Sequence, residues 1–316
     1  MKRIELKREA LRAVILPERG ANCISLRYEP LGIKVLREHD YSEGEADNPF
    51  LYGMPILFPV NRISTGRFVF DGREYVFPIN EPATGCHLHG ELHRMPFAVL
   101  EQSEDRVVCL FHAEKGEYLG FPHAFDVQIE YRLTEDRLCH RVSVRNCSEE
   151  RMPLFLGFHT TFLSRTENES SDTRVLVELS EEYERNMENY LPTGRKPEPD
   201  EVTKALASGT FDPLSLAISR HYRAGGNVMS LTHGGCGIEI CYRVDPAYAF
   251  RLIYGRGEEG YISLEPQTCL ADCANSPFGR EEGGFICLEP HEKKEFYSEI
   301  VIKTKTQEEK YEDHKA

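Results

Sequence analysis

Tryptophan is absent from all 316 residues, so any flat aromatic surface in a binding site has to come from tyrosine or phenylalanine. An excess of positive charge is also missing. The chain sets 38 Lys and Arg against 52 Asp and Glu, a net charge of −14, which repels phosphate backbones and anionic membrane surfaces. Neither nucleic acid nor a membrane is expected as a partner. Long apolar runs are lacking too: stretches such as Met54 to Val60 fall far short of the roughly 20 residues a membrane helix needs. The N-terminus, MKRIELKREALRA, alternates charge with apolar residues and has no continuous apolar segment of the signal-peptide kind. A cytoplasmic location is therefore expected.

Cysteine, by contrast, is plentiful. Ten cysteines spread through a large chain without an export signal fit reduced thiols better than a disulfide framework. Neither Cys236-x4-Cys241 nor Cys269-x3-Cys273 has a second pair at structural-zinc spacing, so no structural metal is expected. No compositional break or internal repeat divides the chain. It reads as one domain over 1–316, with the charged residues 307–316 as a frayed tail.

The hydrophobic pattern is that of strands. Residues 4–28 contain three short candidates, IELKRE, RAVILP and CISLRYE. Phe125, Val127, Ile129, Tyr131 and Leu133 alternate with polar or small residues, Thr134-Glu135-Asp136 turns the chain, and Leu138, His140, Val142 and Val144 continue the period of two. Alternation of that length predicts antiparallel sheet with one buried face. RMPLFLGFHTTF, TRVLVEL, GNVMSLTH, GIEICYRV, FRLIYGR, YISLEPQ, GFICLEP and KEFYSEIVIKT add further strands. The charged stretch 180–190 and LPTGRKPEPDE read as loop, and Thr203 to Leu206 as a short helical turn. The fold class predicted is all-β, a large antiparallel two-sheet sandwich with long loops at one rim.

Polar groups concentrate between Tyr52 and His93. Arg62 is followed by His87, His89 and His93, and if HLH is extended, His87 and His89 share one face of a strand. Two imidazoles so placed can bind a metal, with Glu91 nearby, or can hold hydroxyl oxygens. Gly90 argues that the strand stops there. His159 stands alone in an apolar strand, where a histidine is either a core residue with a partner or a reactive group. Glu265 ends another apolar strand, and a carboxylate there must reach solvent or shift its pKa.

Taken in order, PILFPVNRISTGRFVFDGREYVFPIN, LHG, LGFHTTF and LEPQTCLADCAN resemble the landmarks of the aldose 1-epimerases, or galactose mutarotases, from about Gly53 to Asn275. The resemblance implies a galactose mutarotase-like supersandwich acting on a small-molecule sugar, as a monomer or homodimer, with no cofactor. It implies sugar contacts from Arg62 and His89, His159 as general acid and Glu265 as general base. It also implies a sugar-contacting Asp, for which Asp212 in FDPLSL is the nearest candidate. Thr160 and Thr161 stand where the family commonly has Pro and Tyr, which leaves the sugar's identity open. On this reading Glu265 is ionised and His159 protonated near neutral pH. Phe68, Tyr75 or Phe278 would supply the aromatic floor. Two other readings stay open. An anionic, phosphorylated or sulfonated hexose would require an arginine cluster, with Arg67, Arg73, Arg94, Arg220 and Arg223 as candidates. A non-catalytic sugar sensor could keep the same fold.

Overall fold

In the computed structural model, which describes residues 1–42, 44–165 and 172–304, the predicted strands form antiparallel sheets. The expected tail at 307–316 lies outside the described residues. Ile4–Arg8, Leu11–Leu16, Asn22–Tyr28 and Ile33–Lys34 make a four-stranded meander. It packs on Arg106–Ala113 and Phe125–Leu133 of a much larger sheet.

The period of two explains the large sheet. Phe125, Val127, Ile129, Tyr131 and Leu133 are all buried, and their strand pairs with Arg137–Asn146 in the register Phe125↔Asn146 to Leu133↔Leu138. Lys293–Thr304 then inserts between Arg137–Asn146 and Ile238–Val244, so that the C-terminal strand joins the two halves of the sheet. Ala217–His233, Phe250–Arg256 and Tyr261–Gln267 follow in spatial order. One apolar core, running from Ile4 to Ile302, is shared by both sheets. Among the described residues no helix is long and apolar enough to cross a membrane.

Three local expectations change. Thr173–Tyr183 continues four residues past the expected strand, because its charged residues lie on the outer side while Tyr183 is buried and pairs with His221. The helical turn is a helix, Glu201–Ser208, capped by the Asp200 side chain accepting from the Thr203 N–H at 2.9 Å and ended by Gly209 at φ 73°. RMPLFLGFHTTF is broken into Met152–Leu154, Gly157–Phe158 and Thr160–Leu163. The last two keep one continuous register with Tyr261–Gln267, Gly157↔Gln267 and Thr160↔Leu264. That register sets Phe158 across from Pro266, which has no N–H to donate to the ladder.

Candidate active site

The same register sets His159 across from Glu265. Side chains alternate along a strand, so His159 and Thr161 share a face with Ser263, Glu265 and Gln267, and the Thr161 and Ser263 hydroxyls bond at 2.8 Å. His159 Nε2 lies 3.1 Å from Glu265 Oε1. Both side chains are buried, Glu265 completely. They form one wall of a cavity of about 290 Å³ whose other sides carry Phe50, Arg62, His89, Arg185, Tyr190 and Tyr254.

Each group is oriented by a partner behind it. Glu265 Oε2 accepts from Gln267 Nε2 at 3.0 Å, and Gln267 Oε1 accepts from Asn61 Nδ2 at 3.0 Å. Glu265 Oε1 makes no bond of hydrogen-bond geometry and has His159 Nε2 as its polar neighbour. His159 Nδ1 has the Thr161 hydroxyl 3.4 Å away, so the threonine that departs from the family pattern backs the imidazole. The Asn61 N–H donates to His89 Nδ1 at 3.2 Å, which leaves Nε2 as the protonated nitrogen of a neutral ring and a donor for a ligand. Arg62 gives two parallel bonds to Glu81, both at 2.7 Å. The Asp272 N–H holds the Arg62 carbonyl at 2.7 Å, and Asp272 Oδ1 accepts from the Ser64 N–H at 3.1 Å.

His87 and His89 do not share a strand face. The strand stops at Leu88, and His89 and Gly90 turn through left-handed conformations at φ 61° and 64°. His87 is turned away to the Pro78 carbonyl, 2.8 Å from its Nδ1, while His93 lies behind Phe50, ring centroids 4.5 Å apart. Of these three histidines only His89 lines the cavity.

Burial decides the charges. Loss of solvation pushes Glu265 up to about 8, partly offset by its bond to Gln267 and by the positive charges of Arg185 and Arg62. It pushes His159 down to about 3 and His89 well below its usual value. Both shifts favour a neutral carboxyl facing a neutral imidazole over the ion pair that the resemblance implies. Both arrangements contain one shared proton, and burial favours the form without separated charge.

Asp212 is not brought to this pocket. Its carboxylate accepts from the Leu214 N–H of its own turn at 2.9 Å. Phe68 and Tyr75 stack on each other in the core, 4.5 Å apart, and Phe278 packs on Tyr183. The aromatic surface comes instead from Phe50, Tyr190 and Tyr254. Arg185 and Tyr190 come from the charged stretch read as loop. It is ordered by paired backbone bonds, Glu184 N–H to the Arg195 carbonyl and Thr193 N–H to the Glu184 carbonyl, both 3.0 Å. No local pattern announces that wall, whereas Gln267 could have been found from the alternation Ser-x-Glu-x-Gln.

The fold is that of the galactose mutarotase-like proteins. The sequence model of the family "Aldose 1-epimerase" matches residues 2–300, and the chain belongs to that family. A galactose mutarotase-like protein from Clostridium acetobutylicum superposes with a TM-score of 0.89 at 26% identity, covering 96% of this chain and 95% of that one. The galactose 1-epimerase of Lactobacillus acidophilus NCFM gives 0.72 at 16% identity, covering 96% and 95%. Protein YphB of Escherichia coli (strain K12) is 30% identical over 108 residues, 34% of this chain and 36% of YphB. This chain's match thus spans about a third of the length of that curated relative.

Proposed function

We propose that this protein interconverts the α and β anomers of an aldohexose, using Glu265 and His159 as a proton-transfer pair. The observation that carries this reading is the buried, face-to-face pair, with His159 Nε2 3.1 Å from Glu265 Oε1 on the cavity wall. Mutarotation needs a proton taken from the anomeric hydroxyl and another given to the ring oxygen. With the shared proton on His159, Glu265 Oε1 accepts the O1 proton while His159 Nε2–H protonates O5. The C1–O5 bond breaks and C1=O1 forms. The pair then stands as a neutral carboxyl and a neutral imidazole, the state that burial favours. Rotation about C1–C2 presents the other carbonyl face, and the reverse transfers close the ring as the opposite anomer.

Arg62 and His89 hold the sugar hydroxyls in this scheme. Arg62→Ala is expected to raise KM roughly 10-fold or more and to lower kcat, since a bond from a charged donor contributes about 1.5–3 kcal/mol and also sets the ring's position. Steady-state rates by coupled assay or polarimetry would show it. An unchanged KM would remove Arg62 from the binding role.

The shared proton also fixes a pH profile. The one-proton pair exists between the two titrations, near 3 and near 8, so kcat/KM for a substrate of constant charge should be level from about pH 5 to 7. Above about 8 it should fall close to tenfold per unit as the pair loses its proton. A rate that climbs through pH 8 would mean that ionised Glu265 acts beside a neutral His159, against this scheme.

The function itself is tested by two-dimensional exchange NMR on a panel of aldoses. Acceleration of anomer exchange over the buffer rate is expected for at least one.

A further inference from the structure

We infer that the sugar this pocket accepts carries an anionic group, and that Arg185 is the residue that receives it. The inference rests on the reading of the cavity as a mutarotase site. Arg185 is 8% exposed, yet among the described residues no carboxylate lies within ion-pair distance of its guanidinium. It donates one bond, from Nη2 to the Ser219 hydroxyl at 2.7 Å, and leans on the Tyr190 ring, 5.6 Å from centroid to guanidinium carbon. A buried guanidinium is costly unless an anion meets it, and its planar fork suits the paired oxygens of phosphate, sulfonate or carboxylate.

The charges around it point the same way. Arg62 is already satisfied by Glu81, and Glu265 keeps its proton to about pH 8. Arg185 is then the uncompensated charge inside the cavity, whereas Arg256 at the rim is 61% exposed, bonded to the Tyr254 hydroxyl at 2.8 Å and 3.8 Å from the Glu259 carboxylate. The cavity thus holds one buried arginine without an ion-pair partner, in a protein whose net charge is −14. Such a protein repels anionic ligands from the rest of its surface, so a cationic cavity is a specific device. Arg185 also acts on Glu265 through its charge, but at a distance, which leaves its guanidinium fork free of any carboxylate among the described residues.

The arginines proposed from sequence do not supply this charge. Arg67, Arg73, Arg94 and Arg220 meet Glu74 at 3.0 Å, Glu150 at 2.6 Å, Glu91 at 3.1 Å and Asp200 at 2.7 Å. Arg223 donates to the Glu282 carbonyl at 3.4 Å. None of the five lines the cavity.

The test compares anomer exchange of glucose and galactose with that of their 6-phosphates, 6-sulfonates and uronates, at low salt, for the full chain. In the wild type kcat/KM should be at least about 10-fold higher for one anionic series than for the parent sugars, and the best series names the group. In Arg185→Gln that ratio should fall toward one, whatever happens to the overall rate, while Arg185→Lys keeps part of it. Equal or better use of the neutral sugars by the wild type would overturn the inference and leave the mutarotase reading standing. Calorimetric titration with 1,5-anhydroglucitol 6-phosphate, against 1,5-anhydroglucitol, tests binding without any anomeric chemistry. Tighter binding of the phosphate, lost in Arg185→Gln, supports the inference even if no sugar shows exchange, whereas equal binding of the two overturns it.

Discussion

Glu265→Gln should lower kcat for anomer exchange by about 10³-fold or more while leaving sugar binding nearly intact. Positioned proton transfer is worth roughly 10²–10⁴-fold from each partner, and the amide can neither take a proton from O1 nor pass one to His159. It keeps the shape of the carboxyl and can still accept from Gln267 Nε2, so the cavity wall stays in place. Binding is measured by titration with a non-mutarotating analogue such as a 1,5-anhydroalditol. The fold is checked by melting temperature, for which the sign is known. Burial holds Glu265 at about 8 in the folded protein against an ordinary 4.5. The contribution of Glu265 to stability is therefore lost as pH rises from about 4.5 to about 8, a dependence the Gln variant lacks. At pH 8 the variant should melt at or above the wild type. His159→Asn should give a loss of similar size, since removing either half leaves the other without a proton to exchange. Retained turnover in either variant would detach that residue from the chemistry.

Gly90→Ala should be the most damaging small change to the fold near the site. A Cβ on Gly90 would sit 1.8 Å from the Phe58 carbonyl oxygen and 2.4 Å from its carbon, at φ 64°. Neither obstacle is a side chain that could swing away. The Phe58 carbonyl is held by the Tyr118 hydroxyl, and the Phe58 N–H donates to the His89 carbonyl at 3.2 Å. The methyl group must therefore push the His89–Gly90 turn off the sheet edge and move His89 with it. Overpacking and a left-handed alanine each cost about 1–3 kcal/mol, so a loss of about 3 kcal/mol or more is expected in chemical denaturation. Gly85→Ala separates the two contributions, because Gly85 has φ 68° and nothing within 4 Å of its Cβ. It should cost only about 1 kcal/mol. Equal losses in the two variants would mean that the Phe58 contact is slack.

These effects divide along the same line as what the sequence discloses. Alternation is a local property, so the strands 125–133 and 137–146 could be read from spacing alone. The order of four short segments was sufficient to pick out His159 and Glu265 as a pair more than a hundred residues apart in sequence. What escaped is non-local. Arg185 lies in a charged stretch without periodicity, and its burial follows from how residues 184–195 fold over the strand Ala217–His233. Asp212 was chosen by nearness in a motif, yet a half-turn of backbone gives its carboxylate to Leu214. His87 and His89 part because His89 takes a left-handed backbone, which an extended reading of HLH cannot contain. The proton's place on Glu265 depends on complete removal from water, a property of the assembled pocket.

We propose that the buried Glu265–His159 pair moves protons on a sugar. The most direct test of this is the rate of anomer exchange for the wild type and Glu265→Gln, side by side at pH 7, on a panel of neutral and anionic aldoses. Acceleration over buffer by the wild type on at least one sugar, and its near-complete loss in the variant, are expected. Equal rates for the two proteins, or no acceleration by the wild type on any sugar, would contradict it.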